Sequence, residues 1–148
     1  MSSSKAVLDT NVFVGALQRH DGVNRKILEL CFMGEIDLLM GDALYFEYQS
    51  LLGRHHLFEN SSFNPQEREN LFDDFCSVCR WVDVYYRWRP NLKDEADTHI
   101  VELAISGGAP MVLTWNKKDY RNSDLILPDL EILTPAELMA RRRGEKIS

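Results

Sequence analysis

The sequence predicts an α/β fold, a parallel sheet with helices over both faces. Three observations predict it. Short apolar runs of the kind that fill buried strands recur along the chain, helical patterns with apolar residues three and four apart lie between most of them, and 148 residues suffice for one domain with one core.

In chain order, Ala6 to Leu8 forms the first strand and runs straight into Asp9, followed by Thr10 and Asn11. Any of these three short polar residues suits the cap of a following helix. Val23 to Phe32 reads as a helix, Ile36 to Met40 as a strand and Asp42 to Leu52 as a helix. Pro65 to Arg80 is helical, Trp81 to Val84 a strand, Asp97 to Ser106 a helix and Met111 to Leu113 a strand. Glu131 to Leu133 gives the last strand and Pro135 to Arg143 the last helix. Clusters of Gly, Pro, Asn and Ser mark loops at His55 to Asn64, Tyr86 to Asp94 and Arg121 to Asp129. No repeat, low-complexity tract or interdomain linker interrupts the pattern. A single domain over residues 1–148 is expected, with its core at about 5–135 and frayed ends.

Hydrophobic residues make up 45% and charged residues 27%, which argues against disorder. No apolar run reaches the roughly 20 residues of a membrane span. The start MSSSK lacks the apolar segment of a signal peptide, so a cytoplasmic location and no membrane association are expected. Three cysteines, Cys31, Cys76 and Cys79, fit free thiols packed as small hydrophobes. The lone C-x-x-C at Cys76 and Cys79 lacks the second pair or histidines of a zinc site. A net charge of -6 excludes a generally basic nucleic-acid-binding surface and leaves room only for a local one.

The acids are more informative. In a parallel sheet, ligands bind beyond the carboxyl ends of the strands where strand order reverses, and Asp9 stands at one such end. In Asp42 to Leu52 the apolar stripe is Leu44, Tyr48, Leu51 and Leu52, and Glu47 falls on the same face. A carboxylate turned toward a core needs a partner, a metal or an edge position. Asp97 precedes Ile100, Val101, Ala104 and Ile105 at helical spacing, which puts it on the inward face of the first turn, with Asp94 available as the cap. Thr114, Asn116 and Asp119 follow the strand Met111 to Leu113 in a strand-to-helix loop.

Each feature has a plain structural account: a helix cap, an edge glutamate bonded to Arg or Tyr, an acid favoured by the helix dipole, a polar turn. Together they gather acids near strand ends, where carboxylates raise one another's pKa unless a cation neutralises them. All-oxygen clusters suit Mg²⁺ or Mn²⁺ rather than zinc.

The stretches VLDTNVFV, ALYFEYQSLL and DEADTHIVELAISGGAPMVLTWNKKDY, in this order and spacing, resemble the PIN domain, the fold of many bacterial toxin ribonucleases of the VapC type. The resemblance runs from Lys5 to about Pro135. It implies a three-layer sandwich with a central parallel sheet of four or five strands, and metal-dependent cleavage of single-stranded RNA. It also implies homodimers and a partner antitoxin that covers the site. By motif, Asp9, Glu47 and Asp97 match the family's acids, while Asn116 stands where many members carry an acid and Asp119 lies close by. These imply a catalytic set of Asp9, Glu47, Asp97 and Asp119, and a Mg²⁺ or Mn²⁺ ligand set of the same four with Asn116. An ion so held lowers the pKa of a water for in-line attack on a phosphodiester.

Thr10, Asn11, Thr114, Lys117 and Lys118 border these acids and are the expected RNA contacts. Arg87 and Arg89, interleaved with Tyr85, Tyr86 and Trp88, suit either an RNA clamp or a core closure with solvated arginines. The segment from His55 to Asn64, with the helix after it, is a candidate clip over RNA or a surface for the antitoxin, with His55 and His56 as exposed loop residues. Arg141 to Arg143 form a solvated helix end. Two other classes of function fit less of the pattern. One is a catalytically weak PIN-like module that binds RNA or protein, prompted by Asn116; the other is a phosphoacceptor domain with its aspartate at a strand end.

Overall fold

The computed structural model describes residues 4–19, 22–84, 95–120 and 129–144, the side chains of 95–98 excepted. In chain order the elements are β1 (Ser4–Leu8), α1 (Thr10–Gln18), α2 (Val23–Phe32), β2 (Ile36–Met40), α3 (Asp42–Leu52), α4 (Pro65–Val78) and β3 (Arg80–Trp81). There follow α5 (Glu95–Gly107), β4 (Met111–Leu113), β5 (Glu131–Leu133) and α6 (Pro135–Arg142). Single turns of 3-10 helix occupy His55–Phe58 and Lys117–Tyr120. Among the described residues the five strands form one sheet, all parallel, in the order β3-β2-β1-β4-β5.

Successive strand residues point to opposite faces of a sheet. Ala6, Val7 and Leu8 of β1 are all buried, as are Leu38, Leu39 and Met40 of β2 and Met111, Val112 and Leu113 of β4. Both faces of the central strands are therefore covered, which is why these strands read as continuous apolar runs. Helix α5 packs across β1, β2 and β4, while α2 and α4 pack on β2. An aromatic cluster of Phe13, Tyr48, Phe72 and Phe75 ties α1, α3 and α4 together, with ring centroids 4.6 to 6.4 Å apart.

The structure corrects two sequence boundaries at one place. The helix expected to reach Arg80 ends at Val78, and Cys79 turns extended, because Arg80 pairs with Leu39 of β2. The strand expected over Trp81 to Val84 covers only Arg80–Trp81, with one further bond from Val82 N–H to Met40 O at 2.9 Å. Its partner runs out there: β2 stops at Met40, opposite Trp81, and Gly41 leads into α3. An edge strand has no second neighbour to pair with beyond that point.

The helix that follows Asp9 spans Thr10–Gln18 and buries Val12, Phe13, Ala16 and Leu17, a stripe at helical spacing. Capping boxes begin α4 (Asn64 with Glu67) and α6 (Thr134 with Glu137), each with proline in the first turn. The interval His55 to Asn64, expected as a loop, contains the first 3-10 turn. The loop Tyr86 to Asp94, with Arg87, Arg89 and their aromatic neighbours, lies outside the described residues, as does 121–128. All three cysteines are free thiols; Cys31 is buried and burial pushes its pKa up to about 12. Among the described residues no helix is long and apolar enough to cross a membrane.

Candidate active site

Strand order reverses between β1 and β4: the chain leaves β1 toward β2 and β3, then returns past β1 to build β4 and β5. The crevice beyond the carboxyl ends of β1 and β4 is thus the place where an α/β sheet binds ligands. Two residues enter it directly. Asp9 follows β1, its N–H extending the ladder to Leu113 O at 2.9 Å; Thr114 follows β4, its N–H bonded to Leu133 O at 2.9 Å.

Asp9 caps α1 and is only 7% exposed. Its carboxylate is held from three elements. Oδ1 accepts from Thr10 N–H at 2.7 Å, while Oδ2 accepts from the Thr114 hydroxyl at 2.9 Å and the Tyr120 hydroxyl at 3.0 Å. Burial raises its pKa above the ordinary 3.8; those hydrogen bonds oppose the rise and the nearby charge of Glu47 adds to it.

Glu47 reaches the same place from α3. Its Oε1 lies 3.4 Å from the Thr10 hydroxyl, which is also 3.4 Å from Asp9 Oδ1. A hydroxyl carries one proton, so Thr10 satisfies only one of the two oxygens at a time. The other carboxylate oxygen, Oε2, lies 2.7 Å from His99 Nε2 of α5. Tyr48, next on α3, anchors that helix to the end of β1 by donating to Leu8 O at 2.7 Å.

The donor set fits a hard divalent cation. Both acceptor sites of Asp9 Oδ2 are taken by hydroxyls, but Oδ1 keeps one lone pair beyond Thr10 N–H, and Glu47 Oε1 has only the shared hydroxyl. These two oxygens each lie 3.4 Å from the Thr10 hydroxyl and belong to carboxylates that repel each other, a repulsion that a Mg²⁺ or Mn²⁺ ion would relieve. Among the described residues, no three His, Cys, Asp or Glu side chains group as metal ligands. The third expected acid, Asp97, belongs to the first turn of α5, and its side chain lies outside the described residues.

The remaining expected site residues are placed as follows. Asp119 is half-buried in the 3-10 turn Lys117–Tyr120, one residue before the tyrosine that holds Asp9. Asn116 is exposed and reaches the site through its main chain, donating N–H to Thr114 Oγ1 at 3.1 Å. Thr114, expected to touch RNA, is fully buried and directed at Asp9. Thr10 lies between the two acids. Asn11 braces the β4 end, donating to Thr114 Oγ1 at 3.1 Å and accepting from Trp115 N–H at 3.1 Å. Lys117 is paired with Glu137 of α6 at 2.9 Å, and Lys118 is exposed. His55 and His56 are exposed, as expected. Arg141 and Arg142 are engaged in ion pairs, with Glu131 at 2.8 Å and Glu35 at 3.3 Å, rather than simply solvated.

Sequence reasoning missed Tyr120 and His99. Neither carries a local signal: Tyr120 ends a polar turn, and His99 sits among the apolar residues of α5. Their partners lie 111 and 52 residues away.

Comparison with known proteins adds three findings. A chain of the crystal structure of VapBC2 from Rickettsia felis, bound to a DNA fragment from their promoter, is similar with a TM-score of 0.60 and 19% identity, over 88% of this chain and 98% of that one. At that identity the likeness is one of fold. A comparison with curated proteins finds no match. The family model described as PIN domain matches residues 5–118, which takes in β1, Asp9, Glu47, Asp97 and β4 and stops just before Asp119; the chain belongs to the PIN domain family.

Proposed function

We propose that this chain is a Mg²⁺- or Mn²⁺-dependent endoribonuclease that cleaves single-stranded RNA, acting as the toxin of a toxin–antitoxin pair. The observation that carries the reading is the convergence of Asp9 Oδ1 and Glu47 Oε1 on the Thr10 hydroxyl at the strand-order reversal. The PIN family membership, and the shared fold with a chain of a VapBC2 complex, favour a nuclease with a protein partner.

In this reading Asp9 and Glu47, with Asp97 and Asp119, hold the ion, and Asn116 borders them. A divalent ion bound there supplies Lewis acidity toward a phosphodiester and activates water for its hydrolysis. The chain's own residues prepare that site. Thr114 and Tyr120 occupy Asp9 Oδ2 and so aim Oδ1 outward. His99 holds Glu47 Oε2 and aims Oε1 at the same point, a positioning role of the kind that tunes metal sites. Exposed Lys118 is placed to meet phosphate at the rim, and Lys117 becomes available there when its pair with Glu137 opens. The proposed role includes a cytoplasmic location, one domain, a homodimer and an antitoxin that covers the acids.

The test is direct. The purified protein, freed of any partner, is incubated with single-stranded RNA and Mg²⁺ or Mn²⁺ beside Asp9→Asn and Glu47→Gln. Cleavage by the parent alone, stopped by a chelator, is the expected result. RNA binding without turnover across varied RNAs overturns the enzyme reading in favour of a binding module.

A further inference from the structure

We propose that Trp115 is a stacking platform for one unpaired nucleobase, set at the rim of the acid pair. The inference rests on the nucleic-acid reading above and adds to it the residue that touches a base.

Trp115 is 39% exposed, an unusual state for so large an apolar side chain immediately after a core strand. It is nonetheless fixed. Its indole Nε1–H donates to Asn24 Oδ1 of α2 at 2.8 Å, and its main-chain N–H donates to Asn11 Oδ1 at 3.1 Å. Asn24 is itself wedged against α1 at Gly15, where a Cβ would collide with the Asn24 amide. The ring is therefore fixed at its Nε1 edge by a hydrogen bond while 39% of the residue stays open to solvent. The other exposed indole with described neighbours, Trp81, packs against Tyr45 with centroids 5.4 Å apart; among the described residues no ring covers Trp115.

The platform is also wired to the site. Asn11, which holds the Trp115 main chain, donates to Thr114 Oγ1, and Thr114 donates to Asp9 Oδ2 at 2.9 Å. Three hydrogen bonds thus lead from the Trp115 main chain through Asn11 and Thr114 to the central acid. Exposed Lys118 follows three residues on, so the segment after β4 carries both an aromatic ring and an exposed cation, the combination that holds single strands. Stacking needs an unpaired base, which accords with single strands rather than duplex as the substrate.

The experiment measures binding apart from cleavage. In an Asp9→Asn background, the affinity for a labelled single-stranded RNA is measured by fluorescence anisotropy for Trp115, Trp115→Ala, Trp115→Phe and Asn24→Ala. RNAs with one abasic nucleotide walked along the strand are measured beside the intact one. The expected result is about a tenfold loss for Trp115→Ala, most of it recovered by Phe, and a smaller loss for Asn24→Ala, which frees the ring without removing it. At one position the abasic RNA loses the same factor, and combining it with Trp115→Ala adds nothing further. Unchanged affinity in Trp115→Ala, losses that add at every abasic position, or no RNA binding by the Asp9→Asn protein each overturn the platform; the first of these, with loss of a co-purified protein, assigns the ring to a protein interface instead. Unchanged melting of Trp115→Ala shows that any loss is local. Coupling in a chain that never cleaves RNA supports the platform and sinks the nuclease reading, while cleavage without coupling sinks the platform alone.

Discussion

The two carboxylates at the reversal of strand order are held in opposite ways. Asp9 is 7% exposed and receives three close donors from α1, the end of β4 and the turn ending at Tyr120. Glu47 has a side chain 31% exposed and is steadied by His99 on one oxygen, with only the shared Thr10 hydroxyl on the other. The difference separates a fixed charge from an adjustable one. Three hydrogen bonds partly offset the desolvation of the aspartate and leave it no freedom to move, whereas a partly exposed glutamate can follow a ligand by changing rotamer.

The comparison breaks most severely at the fixed acid. Asp9→Asn is expected to lower cleavage by at least about 100-fold, beyond the 10- to 100-fold range typical of residues that only orient a metal ligand. It should also change the pH dependence of metal-free stability. Because burial raises the folded pKa of Asp9 above 3.8, its ionised form weakens the fold at pH values above that folded pKa, and protonation relieves the strain as pH falls toward 3.8. Relative to the parent, the melting temperature of Asp9→Asn should therefore shift in the variant's favour as pH rises from 3.8 to neutrality, as read by thermal melts in chelator.

Removing the grip on Asp9 comes next. Tyr120→Phe and Thr114→Val each strip one donor from Oδ2, and each is expected to cost about 1–3 kcal/mol of stability in thermal melts, with a 10- to 100-fold loss of cleavage. The adjustable acid is the gentler target. His99→Ala should cost about tenfold in Mn²⁺ affinity by calorimetry, with His99→Gln, which keeps an N–H donor, recovering part of it. Equal losses in both His99 variants would show that His99 serves packing rather than the orientation of Glu47. The smallest effect belongs to the rim: Lys117→Ala breaks an exposed pair with Glu137 and should change stability by under about 1 kcal/mol, while weakening RNA binding if the lysine meets phosphate.

Much of the frame was legible because burial on both faces writes itself into sequence. Ile36–Met40, Met111–Leu113 and Glu131–Leu133 read as strands from composition alone, and Val23–Phe32 and Asp42–Leu52 as helices from their period. Helix α1 was harder, since Val12, Val14 and Gly15 lower helix propensity and only its buried stripe against α2 and α3 decides the matter. The end of β3 could not be read at all, because it is set by where β2 stops. The site shows the same division. Asp9 and Glu47 could be singled out from a strand end and a helix face, which are local patterns. Tyr120 and His99 could not, since their roles depend on contacts that only the closed sheet creates.

That dependence sets an order in time. Asp9 follows the first strand of the sheet, yet the hydroxyls that hold it belong to Thr114 and Tyr120, 105 and 111 residues later. Contacts of such separation form late in folding, after the entropy of closing a long loop has been met. On a ribosome, the segment bearing Asp9 and Glu47 emerges while β4 has yet to be synthesised. In the nuclease reading proposed above, the central acid therefore stays without its two hydroxyl partners until β4 and the turn after it have been made.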